Sequence, residues 1–327
     1  MTKISYENCI EYIVSEKQKG VGSRAIAKAL GSCSKSTVNY YYNKWLDETT
    51  AKPESTNLNI SGPKILLFDI EFAPAKVMCY GRYKQFIVQD FVLEEGYLLS
   101  FSAKWLGSDN VVSFNLPYYD CYKGAWDSND YELAKDLHKL LDEADFMVAH
   151  NLKQFDFKVA NTRFAAHGLP PISPTKLIDT LEIAKKNFRF PDNKLNTIAN
   201  YFGLGSKTEG HGADMWRKCL EDDTETWKHE LEYNIQDVLL LEQVYLKLRP
   251  FDNKHPSLIP YYKDDFKRCT CCGSTNLWKT DKKAYTSLSE FEVYKCEDCG
   301  KHSRARINLR TKEHKVLLHQ LLETLLL

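Results

Sequence analysis

The stretch Leu66-Leu-Phe-Asp-Ile-Glu-Phe-Ala-Pro74 sets two carboxylates two residues apart inside an otherwise apolar run. Side chains alternate along a strand, so Asp69 and Glu71 share one face while Phe68, Ile70 and Phe72 share the other. Two like charges on one half-buried face repel, so the run calls for something positive between them. Outward from it, KILLFDIEF, KVMCYGRY, QFIVQDFVL, YLLSFSAKW and VVSFN read as strands. DYELAKDLHKLLDEA then reads as a helix, FMVAHN as a strand, FDFKVANTRFAAHG as a helix and KLIDT as a strand, with mostly helix to Leu248. Antiparallel-looking strands followed by strand-helix alternation predict an α/β fold, a mixed sheet with helices packed on it.

Two further acidic positions fall at places where such a sheet builds a site. FMVAHN runs out at Asn151 and a helix begins near Gln154, which puts Asp156 in a first turn close to a strand end. In LEYNIQDVLLLEQVYLKL, the residues Trp227, Leu231, Ile235, Val238, Leu241, Tyr245 and Leu248 step by four or three and predict one buried stripe. Tyr233 and Asp237 lie four apart on another face. That face continues as Leu240 and Val244, so it is not simply solvated.

Asp69-x-Glu71 on a first strand, Asn151-x-x-x-Phe155-Asp156, and Tyr233-x-x-x-Asp237 on a late helix together resemble the three motifs of the DEDD (DnaQ-like) 3′ to 5′ exonucleases, in the Tyr-bearing subclass. The resemblance covers about residues 64 to 250. Each motif alone is common; the three in order, on the right element types, are specific. The resemblance implies a ribonuclease H-like fold in which Asp69, Glu71, Asp156 and Asp237 hold two divalent cations, Mg²⁺ or Mn²⁺, about 3.5 to 4 Å apart. Metal charge would then answer the repulsion on the first strand. It also implies that Tyr233 orients or deprotonates the attacking water, with His229 one turn earlier as the alternative. Phe72, Asn151 and Phe155 would line the cleft beside the terminal nucleotide; equally, both phenylalanines read as core and Asn151 as a helix cap. Asp179 in KLIDT falls near a strand end in a supporting place, and His211 in KTEGHGADMW reads as a loop residue.

The flanks carry different signals. Residues 1–48 read as a helical unit with Ser23 and Ser34 as N-caps and Gly31 as a terminator. SRAIAKALGSCSKSTVNYYYNKW resembles a helix-turn-helix, which implies DNA contacts from Lys35, Ser36, Thr37, Asn39 and Tyr40; a small protein-docking helical module is the other reading. Residues 49–63 read as a linker and 64–252 as the ribonuclease H-like domain. In residues 263–312, Cys269-x-x-Cys272-Gly and Cys296-x-x-Cys299-Gly resemble a zinc ribbon. That resemblance implies one structural Zn²⁺ in a closed thiolate shell, with Cys271 open as an alternative to Cys272. Lys301, Arg304, Arg306 and Arg310 are its candidate phosphate contacts. Residues 313–327 read as an amphipathic helix suited to packing or to a protein partner.

Lys and Arg number 7 against 5 Asp and Glu in residues 1–50, 24 against 30 in 51–262, and 13 against 9 in 263–327. An acidic centre between basic ends fits a metal-using core flanked by modules that face nucleic acid. No opening signal peptide and no long uncharged apolar run is evident, so a cytoplasmic protein with no membrane partner is expected. The expected function is a two-metal 3′ to 5′ exonuclease acting on nucleic acid, DNA with a free 3′ end before RNA. A ribonuclease of the same fold, a transposase-like strand transferase and a non-catalytic DNA-binding regulator are the other readings. Two carboxylates on the first strand and a Tyr with an Asp on the helix favour the exonuclease over the transferase.

Overall fold

The computed structural model describes residues 6–31, 33–35, 37–39, 41–42, 62–81, 83, 85–205, 213–311, 313, 316–317 and 319. Ser36, Tyr40 and His211 lie outside these, as do almost all of the expected linker and most of the expected C-terminal helix. Helices α1 (Tyr6–Gln18) and α2 (Ser23–Leu30) are followed by helical residues at 35, 37–39 and 41–42. Cys9, Ile13, Ile26, Ala27, Val38 and Tyr42 form their small core. Gly31 ends α2 in the left-handed region, φ 70°, which spares the Cβ clash any other residue would meet there. Ser34 accepts from the Thr37 amide at 3.1 Å, as an N-cap should. Ser23 does not cap α2: Gly22 takes that place and the Ser23 hydroxyl turns inward to Asn39.

The central sheet has the order β5-β4-β1-β6-β7, from β1 (Ile65–Phe72), β4 (Leu98–Trp105), β5 (Val111–Asn115), β6 (Phe146–Ala149) and β7 (Lys176–Asp179). β1 pairs antiparallel with β4 and parallel with β6, so the sheet is mixed. Between β1 and β4 a hairpin of β2 (Lys76–Val77) and β3 (Val92–Glu94) stands apart as its own ribbon. KVMCYGRY and QFIVQDFVL therefore hold far less strand than their β-formers suggest. Of the described residues between β2 and β3 none is buried and most are exposed, so no buried face fixes an alternation.

Helices α3 (Tyr131–Glu143), α4 (Asp156–Ala166), α5 (Thr180–Asn187), α6 (Leu195–Tyr201), α7 (Ala213–Leu220) and α8 (Thr224–Leu248) cover the sheet. Leu66, Phe68 and Ile70 join one core with α3 and α4, while Ile65 and Leu67 join another with Val238, Leu241 and Val244 of α8. The alternation of β1 thus points Asp69 and Glu71, in step with Ile65 and Leu67, toward α8. Helix α8 buries Trp227, Leu231, Val238, Leu241, Tyr245 and Leu248, with Ile235 half-buried, and a second face through Asp237, Leu240 and Val244. Asp223 caps it, accepting from the Thr226 amide at 2.9 Å.

The C-terminal sheet has the order β10-β9-β8, from β8 (Leu277–Thr286), β9 (Ser289–Cys296) and β10 (His302–Asn308), all antiparallel. It is tied to the end of α8 by the Leu258 amide on Thr270 O at 2.9 Å and by Lys301 Nζ on Asp252 O at 2.9 Å. Lys301 is therefore buried in that junction and is not a phosphate contact. No helix among the described residues is long and apolar enough to cross a membrane.

Candidate active site

Asp69, Glu71 and Asp237 each offer an oxygen, and these oxygens lie within 4.8 Å of one another. The strand alternation supplies the first two and α8, packed across the same face, supplies the third. Asp69 and Glu71 are half-buried and Asp237 is buried. Asn234, one turn before Asp237, donates from Nδ2 to Asp69 Oδ2 at 2.8 Å and so fixes that carboxylate's rotamer. Asp156 opens α4 with 1% exposure, and its Oδ1 accepts from the Ile70 amide at 3.3 Å. Asp156 is not one of the three mutually close carboxylates; what ties it to them is this bond to the β1 backbone between Asp69 and Glu71. Its Oδ2 is buried with no hydrogen-bond partner. Burial pushes its carboxyl up to about 7, against the pull of its own and the Ile70 amide, with the nearby Asp179 charge adding to the rise. An oxygen-only donor set with one buried oxygen lacking a hydrogen-bond partner suits a hard divalent cation.

The loop before Asp156 is held from β7. Asp179 accepts the amides of Asn151 and Lys153, both at 3.1 Å, and also caps α5. Asn151 sits in the left-handed region, φ 75°, and its carbonyl accepts the amides of Gln154 and Phe155. Asp179 is thus a support for the loop, as its position at a strand end suggested. Phe155 is 39% exposed, while Phe72 is half-buried against the first core. A Cβ on Gly96 would stand 2.2 Å from the Phe72 ring, so glycine there lets the ring lie down. Tyr233 is half-buried one turn before Asp237, and His229 is exposed.

Three supports escape the motifs. Asn234 is one; a second is Glu230, wholly buried, whose Oε1 accepts a hydrogen bond from the hydroxyl of Ser100, the residue paired with Glu71 across the sheet. Burial raises the Glu230 carboxyl to about 8, partly offset by Ser100. Both had a signal: Glu230, Asn234 and Asp237 step by four and three along an otherwise apolar helix face. The third is Asp130, which takes Arg163 Nε at 2.7 Å, Arg163 Nη2 at 2.6 Å and the Leu98 amide at 2.8 Å, with His167 at 2.5 Å. It clamps the start of β4 opposite Phe72. No local pattern announces it.

The sulfurs of Cys269, Cys272, Cys296 and Cys299 also lie within 4.8 Å of one another, and Cys271 is outside the group. Gly273 and Gly300 close two equivalent turns, each amide reaching back to the first cysteine of its pair. Burial pushes the Cys271 thiol up to about 12, leaving it an inert neutral side chain. Lys35 and Asn39 of the N-terminal unit meet Asp120 of the sheet domain, at 2.7 Å each. Thr37 is spent on Ser34. Arg304 lies over the Phe291 ring, Arg310 pairs with Glu290 at 3.6 Å, and Arg306 is exposed.

The sheet order, the flanking helices and these carboxylates define a ribonuclease H-like fold. A family model described as RNase_H superfamily matches residues 121–249. No curated protein sequence matches the chain. Among solved structures, the family B DNA polymerase from the hyperthermophilic archaeon Pyrobaculum calidifontis is similar at 14% identity and a TM-score of 0.40, over 58% of this chain and 25% of its own. The chain thus corresponds to about a quarter of that polymerase's length, a likeness too slight to bear on the site.

Proposed function

We propose that the protein is a metal-dependent 3′ to 5′ exonuclease acting on DNA ends. The convergence of Asp69, Glu71 and Asp237 within 4.8 Å, from the first strand and the last helix of the sheet domain, supports this most. Asp69, Glu71, Asp156 and Asp237 would hold two Mg²⁺ or Mn²⁺ ions, which when bound supply charge neutralisation at the scissile phosphate and acidify water. The chain's own groups do the positioning. The Asn234 amide holds Asp69, and the Ile70 amide holds Asp156. The Tyr233 hydroxyl orients the attacking water, a role for which exposed His229 is poorly sited. Phe155 and Asn151 on its strained backbone contact the terminal nucleotide, with Phe72 behind them. The 3′ to 5′ direction rests on the order and spacing of the three motifs.

The flanks act as grips on nucleic acid, and the four-cysteine group holds one Zn²⁺. Two of its sulfur separations are 3.6 Å. A regular tetrahedron with bonds of about 2.3 Å has edges of about 3.8 Å, so the group fits the ion closely. The deciding assay incubates 5′-labelled single-stranded DNA and RNA with Mg²⁺ or Mn²⁺. A ladder shortening from the 3′ end of DNA is expected, lost in EDTA and in Asp69→Ala and Asp156→Ala with circular dichroism unchanged. Full activity in excess EDTA refutes the proposal.

A further inference from the structure

Past Leu248 the chain runs from α8 into the cysteine sheet through a junction that takes two cations out of water. Lys301, two residues beyond Cys299, is buried; its Nζ reaches Asp252 O at 2.9 Å and Asn253 Oδ1 at 3.3 Å, and its carbonyl accepts the Cys296 amide at 2.9 Å. Arg249, at the C-terminal end of α8, is half-buried, and its Nε is buried with no hydrogen-bond partner. Its guanidinium lies 5.5 Å from the Tyr245 ring centre, and with Cys272, Leu258 and Tyr262 it lines a cavity of about 540 Å³. Among the described residues no carboxylate pairs with either cation. Asp252, buried in the same junction, accepts the Lys254 amide at 2.9 Å instead. His255 adds no charge there, since burial lowers it to about 4 against the pull of the Pro256 carbonyl. A buried cation with no anion is costly, so the junction calls for negative charge. The cysteines stand where it is needed: the Arg249 guanidinium, despite its burial, is held above its ordinary value by Tyr245, Cys271 and Cys272, and Arg249 and Lys301 both pull on the Cys271 thiol against its burial.

We propose that Arg249 and Lys301 are the counter-charges of a zinc–thiolate group, so that loading the ion fastens the cysteine sheet to the end of α8. Four thiolates around one divalent ion leave negative charge in excess; without the ion the thiols regain protons and most of that charge is gone. The metal-free junction then buries two cations that nothing answers, and the loaded one buries them beside their anion. Helix α8 also carries Tyr233 and Asp237. Metal content therefore sets how firmly the cysteine sheet is held to the helix that serves the carboxylates, while the carboxylates themselves take no part in the switch. The inference rests on the zinc reading of the four cysteines.

The test uses the full chain, zinc-loaded and after treatment with a zinc-selective chelator, beside Arg249→Gln, Lys301→Gln and the control Lys282→Gln, an exposed cation of β8. Zinc affinity is read by competition with a chromogenic chelator. Arg249→Gln and Lys301→Gln should each bind zinc about 10- to 100-fold more weakly, the usual cost of losing an outer-shell partner, and Lys282→Gln should match wild type. Thermal melts separate charge from packing. Loaded Arg249→Gln should melt below loaded wild type, whereas metal-free Arg249→Gln should melt at or above metal-free wild type, because it no longer buries an unanswered cation. Unchanged zinc affinity in Arg249→Gln and Lys301→Gln overturns the inference. So does an Arg249→Gln protein that melts lower by the same amount with and without zinc, which is the mark of packing alone, or a Lys282→Gln protein that loses as much affinity as the other two. If one of the two junction variants does not fold, the zinc affinity of the other decides. A wild type that takes up no zinc strikes the zinc reading of the cysteines, and this inference with it; zinc bound equally well by wild type and both junction variants strikes this inference alone.

Discussion

Replacing Asn234 by Ala removes one donor from Asp69 and leaves the four proposed metal ligands in place. The bond is 2.8 Å long, runs to a carboxylate, and is shielded because Asn234 has 0% exposure. A hydrogen bond to a charged group contributes about 1.5–3 kcal/mol. If all of it serves to hold Asp69 in its productive rotamer, kcat/KM falls roughly 10- to 150-fold, since about 1.4 kcal/mol is a factor of ten. Stability should move little, because the Asn234 Oδ1 has no hydrogen-bond partner to lose. The assay is steady-state digestion of a 5′-labelled strand across a Mg²⁺ titration, beside thermal melts. A positioning role predicts that part of the loss is recovered at high Mg²⁺, as the ion re-recruits a wandering carboxylate. Activity within twofold of wild type at every Mg²⁺ concentration would show that Asp69 does not depend on this bond.

Tyr233→Phe should lower the rate by about 10² to 10⁴, the range for a positioned proton-transfer group, with His229→Ala near wild type; the reverse order in the same digestion assay assigns the role to His229. Glu230 is fully buried with its carboxyl raised from 4.5 to about 8, so the folded state keeps a proton that the unfolded chain has lost between those values. Stability should therefore fall as pH rises from about 4.5 to 8, by on the order of 5 kcal/mol. Glu230→Gln should flatten the dependence of the melting temperature on pH, and a variant that still follows the wild-type slope rules this out. Cys272→Ser should lose the bound zinc measured by elemental analysis, while Cys271→Ser keeps it.

The core of the domain was legible because β1 and α8 obey their periods. The two-residue step of Asp69 and Glu71 and the four-residue step of Tyr233 and Asp237 each fix a face before any tertiary contact is known. Cys272 could be preferred over Cys271 only by its following glycine, and the turn geometry agrees with that preference. What stayed hidden is what depends on long-range approach. Asp130 reaches Arg163 and Leu98 across large sequence separations with no period to betray it, and the helical step that singles out Asn234 does not say that its partner is Asp69. The hairpin between β1 and β4 was misread as longer strand because β-forming residues there face solvent, where propensity has no packing to act through.

The contact of Lys35 and Asn39 with Asp120 changes the thermodynamics of any duplex that reaches the N-terminal helices. A lysine free in solution keeps no counterion from DNA, and its arrival at a phosphate releases about one condensed cation, which makes affinity fall steeply with salt. Lys35 already has its anion, 2.7 Å away. A phosphate landing there would exchange one carboxylate for another oxygen anion and leave Asp120 to gather a cation of its own. Added salt would loosen the internal pair as well as the external one, and the two effects would offset each other. The Lys35 contact would then add less to the salt dependence of docking than a lysine with no partner would, and more of the salt sensitivity of the whole protein would report on its other contacts with the strand.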